Sequence, residues 1–192
     1  MSRRLAEIAV VSVLVVLGAW LRVVHLGTPS LWWDELIELR TADRPLAAAL
    51  HLVRVGVSPD SGNAGAMPAD YLLLGAYLHA VPRPGPEHLE AYFRTPSCLY
   101  SVIAIGALYL LGRALFGRAA GALAALLLAT SLPAILYAAE ARSYSLFALA
   151  TIASVGAFAA LVRAPGRPVR WLVYVLASVL YFLTGLFGLF VV

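Results

Sequence analysis

Apolar residues fall in long blocks along this chain, separated by short charged or proline-rich punctuation. Five blocks, over residues 5–26, 95–112, 119–138, 143–162 and 171–192, approach the length of a membrane-crossing helix, which takes ~20 residues. Block 5–26 follows Ser2-Arg3-Arg4 and is longer than a cleavable leader core, with no small-residue cleavage pattern after it. It reads as an uncleaved first span with a cytoplasmic N-terminus. The final block ends at Phe187-Gly-Leu-Phe-Val-Val192 with no polar flank. That predicts the front portion of a larger protein.

The long gap, residues 27–94, has a different texture. It holds most of the prolines and eight of the ten acidic residues. Within it, Trp32, Leu36 and Leu39 recur at i, i+4 and i+7, and residues 71–78 are apolar but too short to span. These segments predict short amphipathic helices at the membrane surface.

Charge placement orients the spans. The gap has five Arg against eight acids, a balance of −3, whereas the rest of the chain has nine Arg against two acids, or +7. Arg3, Arg4, Arg113, Arg118, Arg163, Arg167 and Arg170 all fall on one side of a five-span topology. Arg-rich short loops stay cytoplasmic. The acidic gap and Glu140 then face outward. The expected fold is an all-α membrane protein of about five spans, with an extracytoplasmic first loop, in the plasma membrane.

Composition narrows the function classes. The 192 residues are 62% hydrophobic and 12% charged, with a mean hydropathy of +0.87. A disordered chain or a disulfide-stapled module does not look like this. The net charge of +4 comes entirely from arginine. No basic tail is present, so nucleic acid is not an expected partner. The single cysteine, Cys98, reads as a small hydrophobe.

Three polar constellations could carry chemistry. Asp34 and Glu38 are four apart on one helical face, with Glu35 beside them and Trp32-Trp33 adjoining. Such carboxylates can accept a hydroxyl proton or bind a divalent cation, and they equally suit a solvated face, with Thr28 or Ser30 as cap. Glu140, Arg142 and Tyr144 share a short outer turn. Charges at a membrane boundary are costly unless they face a cavity or each other. Arg22 and His25 close the first span; the guanidinium could bind phosphate or snorkel to the interface. His51, His79 and His88 lack metal-like spacing.

Leu21-Arg-Val-Val-His-Leu-Gly27, Ser30-Leu-Trp-Trp-Asp-Glu35, Tyr71-Leu-Leu-Leu74, Leu108-Tyr-Leu-Leu-Gly-Arg-Ala-Leu-Phe-Gly117 and Tyr137-Ala-Ala-Glu-Ala-Arg-Ser-Tyr-Ser-Leu146 occur in that order. The ordered set resembles the N-terminal portion of the GT-C superfamily of membrane glycosyltransferases. The nearest branch is the protein O-mannosyltransferase and aminoarabinose transferase group. The resemblance implies transfer of a sugar, with inversion, from a polyprenyl-phosphate donor to a lipid, polysaccharide or protein acceptor outside the membrane. It implies Asp34 as general base and Glu35 as its positioning neighbour. Glu140, Arg142 and Tyr144 would lie near the donor phosphate, with Arg22 as a further substrate-binding residue. Mg²⁺ or Mn²⁺ is permitted, though no ligand set demands one.

The sequence departs from the family pattern at two places. Gly65-Ala-Met-Pro-Ala-Asp70 keeps one proline and no histidine where the family often has His-Pro-Pro, and Thr184-Gly-Leu-Phe187 lacks the His-Tyr that commonly follows Thr. Two other readings stand beside the enzyme: a truncated, non-catalytic remnant, and a transporter or carrier-lipid flippase component.

Overall fold

A computed structural model of the chain describes residues 3–55 and 67–185. Helices α1 (Arg3–Val23), α2 (Trp33–Ala42), α3 (Leu46–Val55), α4 (Pro68–Ala80), α5 (Leu89–Phe116), α6 (Arg118–Thr130), α7 (Leu132–Ala138), α8 (Tyr144–Arg163) and α9 (Pro168–Thr184) follow in order. No strand occurs among the described residues.

Three helices, α1, α5 and α8, are individually long and apolar enough to cross a membrane. The pair α6 and α7, bent by 58°, makes a fourth span when taken together. Helix α9 has 17 described residues, short of the ~20 a straight crossing takes. The fifth expected span ran to residue 192, and its last part lies outside the described residues. Much of the apolar surface faces outward, including Val13, Val16 and Trp20 on α1 and Leu172 and Leu176 on α9. A water-soluble fold would bury that surface, whereas a lipid-facing one exposes it.

Helix α5 is the central post, packed on α1, α6, α7 and α8. It begins at Leu89, six residues before the expected start at 95. With 28 residues it is about 42 Å long at ~1.5 Å per residue, more than the ~30 Å hydrocarbon layer. Its extra turns therefore project toward α2 and α4. Pro96 lies inside the helix and cannot donate to the carbonyl of Tyr92. That carbonyl instead accepts a hydrogen bond from the Tyr77 hydroxyl of α4, at 3.1 Å.

The break between α6 and α7 has the same kind of cause. Pro133 occupies the first turn of α7, so the Ala129 carbonyl loses its helical donor. Arg22 of α1 supplies a replacement. Its guanidinium donates to the carbonyls of Ala129 and Leu128, each at 3.0 Å. The sequence pattern over 119–138 predicts one continuous span; the proline splits it, and the first helix repairs the split.

Two glycines bring α5 and α6 together. A Cβ on Gly121 would sit 2.6 Å from the Tyr109 carbonyl, and one on Gly112 would sit 2.9 Å from the Gly121 Cα. Small residues at such crossings let backbones approach closely. Gly117, at φ 94° and ψ 174°, reverses the chain between the two helices. Leu14, Ile105, Tyr109, Ala125 and Ala129 form the core of this corner.

A second core, Leu39, Ala42, Leu74, Leu78 and Tyr92, seats α2 and α4 on the projecting end of α5. The Trp32–Leu36–Leu39 stripe is not the buried face of α2. Glu35, Glu38, Leu39 and Ala42 are buried, while Trp32 stands at the N-cap and is 45% exposed. Neither Thr28 nor Ser30 caps this helix; Glu35 accepts the Trp32 N–H at 3.2 Å instead.

Candidate functional site

The acidic face of α2 points inward, against the turn between α7 and α8. Arg142, in that turn, reaches Asp34 Oδ2 with Nη1 at 3.3 Å and Glu38 Oε1 with Nε at 3.2 Å. Its guanidinium carbon lies 5.9 Å from the Trp32 ring centroid and 5.5 Å from that of Tyr144. Cation–π attraction on both sides helps hold it between the two carboxyl groups. The structure thus brings together Asp34 and the Arg142–Tyr144 turn, which the sequence offered as two separate constellations.

Access differs sharply across the cluster. The Asp34 side chain is 41% exposed, Arg142 17% and Glu38 2%. Asp70, from the first turn of α4, is also buried. Burial raises the Glu38 pKa to about 9, and the neighbouring Asp70 carboxylate adds to the rise while Arg142 opposes it. Burial likewise lifts Asp70 to about 6. Glu38 is thus a neutral acid near pH 7. Tyr71 rises to about 12 through burial and the same two carboxyl groups. Arg142 is then offset by its ion pair with Asp34 and by the Asp70 carboxylate, which is ionised near pH 7. The protonated Glu38 carboxyl hydrogen-bonds to the Asp70 carboxylate and also lies 3.2 Å from Arg142 Nε, so the buried polar atoms are partnered within the cluster.

Glu35 has a different place from the one the sequence suggested. It is completely buried and paired with Arg94 of α5. Arg94 Nε and Nη2 donate to Oε1 and Oε2, each at 2.8 Å. Oε1 also accepts the Ala141 N–H at 2.8 Å. With both oxygens engaged, Glu35 cannot meet an acceptor or a metal directly; it fixes the turn that carries Arg142. Ser97 Oγ holds the same turn by donating to the Arg142 carbonyl at 3.1 Å.

Arg22 also corrects the expectation placed on it. It is 1% exposed. Beyond the Leu128 and Ala129 carbonyls it donates to Ser101 Oγ at 2.8 Å and to the Gly18 carbonyl at 3.0 Å. The helix break absorbs its donors, so it is not turned toward a phosphate. His25 is exposed and is not among the hydrogen-bond partners of Arg22. Glu140 sits beside the site, half-buried, with its pKa raised by burial and by the Glu35 carboxylate.

A divalent cation does not fit this donor set. Among the described residues no three His, Cys, Asp or Glu side chains converge as ligands. Arg142 occupies the gap between Asp34 and Glu38, where a cation would sit, and a protonated Glu38 is a poor ligand.

Asp70 and Arg94 were missed as site residues. Asp70 sits at the start of an apolar stretch, and no local periodicity links it to Glu38. Arg94 directly precedes block 95–112, and an arginine there reads as an interfacial anchor.

Compared with known proteins, the chain matches no family model, no curated protein and no solved structure.

Proposed function

We propose that the chain serves a membrane glycosyltransferase reaction that uses a polyprenyl-phosphate sugar donor, takes place on the extracytoplasmic side and inverts the transferred centre. The observation that carries this reading is Arg142, held between an open carboxylate, Asp34, and a buried neutral acid, Glu38. Asp34 is the one member of the Asp34–Glu38–Asp70 group that reaches the surface as more than an edge. It serves as the base that takes the acceptor hydroxyl proton as the new glycosidic bond forms. The breaking bond leaves negative charge on a phosphate. Arg142, beside the open Asp34 carboxylate, is the cation placed to receive it.

The transporter reading gains nothing from the buried arginines. Arg22 and Arg94 have their donors taken up by protein oxygens, so neither lines a path for an ion or lipid headgroup.

Membranes carrying the protein in its native chain, supplied with a radiolabelled polyprenyl-phosphate sugar and endogenous acceptors, test the proposal. Asp34→Asn should lower transfer by about 10²–10⁴-fold, the usual worth of a general base, at unchanged protein level. Transfer at the wild-type rate in this variant excludes Asp34 as the base.

A further inference from the structure

The opposite end of the bundle from Arg142 has a second polar construction. Glu7 of α1 is an acid inside a span, and its side chain is 11% exposed. It pairs with Arg113 at the end of α5 and with Arg118 at the start of α6, the latter at 3.1 Å. The Tyr109 hydroxyl donates to it at 2.7 Å. One carboxylate thus gathers two guanidiniums from different helices.

A cavity of about 530 Å³ opens here between α1 and α5. Arg4, Arg113 and Arg118 line it with Glu7, and Ile8 and Leu110 form part of its apolar wall. Three arginines against one carboxylate leave two positive charges uncompensated. Ile8 and Leu110 are each 61% exposed, so the apolar wall continues onto the surface that faces lipid. A cavity of this size accommodates a small polar group. Basic pockets between membrane helices are suited to anionic headgroups.

We infer that this cavity binds the phosphate headgroup of an anionic phospholipid, with Arg4 and Arg118 contacting the phosphate and an acyl chain lying along Ile8 and Leu110. Glu7 prevents Arg113 and Arg118 from folding away into solvent, and so presets their spacing. The apolar exit favours a lipid over a soluble anion, because a free phosphate would use only the charged half of the cavity. The inference is independent of the catalytic reading, since it involves the other end of the helices.

The test is native mass spectrometry of the purified full chain, released from micelles containing equal phosphatidylglycerol and phosphatidylcholine. The expected result is preferential retention of phosphatidylglycerol. Arg4→Gln and Arg118→Gln should each reduce that preference about fivefold. Both leave Glu7 a partner in Arg113, and an unchanged far-UV circular dichroism spectrum checks folding. Arg167→Gln, in a separate basic turn, should leave the preference intact. Equal retention of the two lipids overturns the inference. So does an equal loss in Arg167→Gln, which would indicate general surface charge. Displacement of phosphatidylglycerol by millimolar inorganic phosphate would assign the cavity to a soluble anion and overturn the lipid reading.

Discussion

Arg94→Met tests the internal frame of the site most directly. The Arg94 side chain makes five hydrogen bonds: two to Glu35, and one each to the carbonyls of Leu26, Pro29 and Ser30. Methionine matches much of its length and none of its donors. After the change, Glu35 is a fully buried carboxylate with only the Trp32 and Ala141 N–H groups left. Breaking a buried pair from one side costs about 3–5 kcal/mol. The Leu26 carbonyl is buried as well, and its lost bond adds about 1 kcal/mol. Pro29 and Ser30 are exposed and can turn to water. The sum, about 4–6 kcal/mol, is comparable to the whole stability of many domains. Reversible unfolding in mixed micelles, titrated with dodecyl sulfate, measures the loss. The double variant Glu35→Met/Arg94→Met should recover a large part of it, because no lone charge remains. A loss under about 1 kcal/mol for Arg94→Met, the range of an exposed pair, would refute the reasoning. So would a double variant weaker than the single one.

Other consequences are checked in the same way. Glu38 has a folded pKa of about 9 against an ordinary 4.5, so the folded state holds the extra proton between those values. Its contribution is complete below about pH 4.5 and lost as pH rises through about 9. Glu38→Gln, which mimics the neutral acid facing Asp34, Asp70 and Arg142, should be more stable than wild type at pH 8.5, with the gap closing toward pH 5; parallel stability profiles would exclude a proton on Glu38. Gly121→Ala drives a methyl group into the Tyr109 carbonyl and should cost about 1–3 kcal/mol. Gly106→Ala, with nothing within 4 Å, should cost little, and equal effects in thermal unfolding would rule out a tight α5–α6 crossing. Tyr77→Phe leaves the Tyr92 carbonyl without its donor and should lose about 1–3 kcal/mol; no change in unfolding midpoint would mean that Pro96 needs no such repair.

The spans were legible because lipid imposes a coarse rule, a long apolar run, and α1, α5 and α8 obey it. What the run lengths could not show was where a proline interrupts them. Pro96 leaves α5 continuous, whereas Pro133 accompanies a 58° bend. In both cases the freed carbonyl finds a donor from elsewhere in the chain, a tyrosine hydroxyl for one and an arginine for the other. The candidate site was legible as two motifs, but not as one place. Spacing put Asp34 and Glu38 on a common face. It did not reveal that the face turns inward, because Leu36 and Trp32 suggested the opposite side. Burial of α2 follows its acids, since Arg94 of α5 and Arg142 of the α7–α8 turn meet them from elsewhere in the chain. Glu35 was read by adjacency to Asp34, yet neighbours on a helix point about 100° apart, and that angle separates an open carboxylate from a buried one.

Arg22 has a history as well as a position. Of its partners, only the Gly18 carbonyl belongs to its own helix. Ser101 lies 79 residues further along, and the Leu128 and Ala129 carbonyls 106 and 107. At a synthesis rate of ~5–20 residues per second, the first span exists for roughly 4–16 s before Ser101 has even been made. Throughout that interval an unmatched cation must be tolerated by the insertion machinery and the bilayer. Its location, one residue from the end of α1, lets the side chain extend to water and headgroups while it waits. Moved two turns deeper, the same arginine could still reach some carbonyl in the finished bundle, but the nascent helix would have no refuge for it. The placement of this residue is thus a compromise between the finished molecule and the order in which its parts arrive.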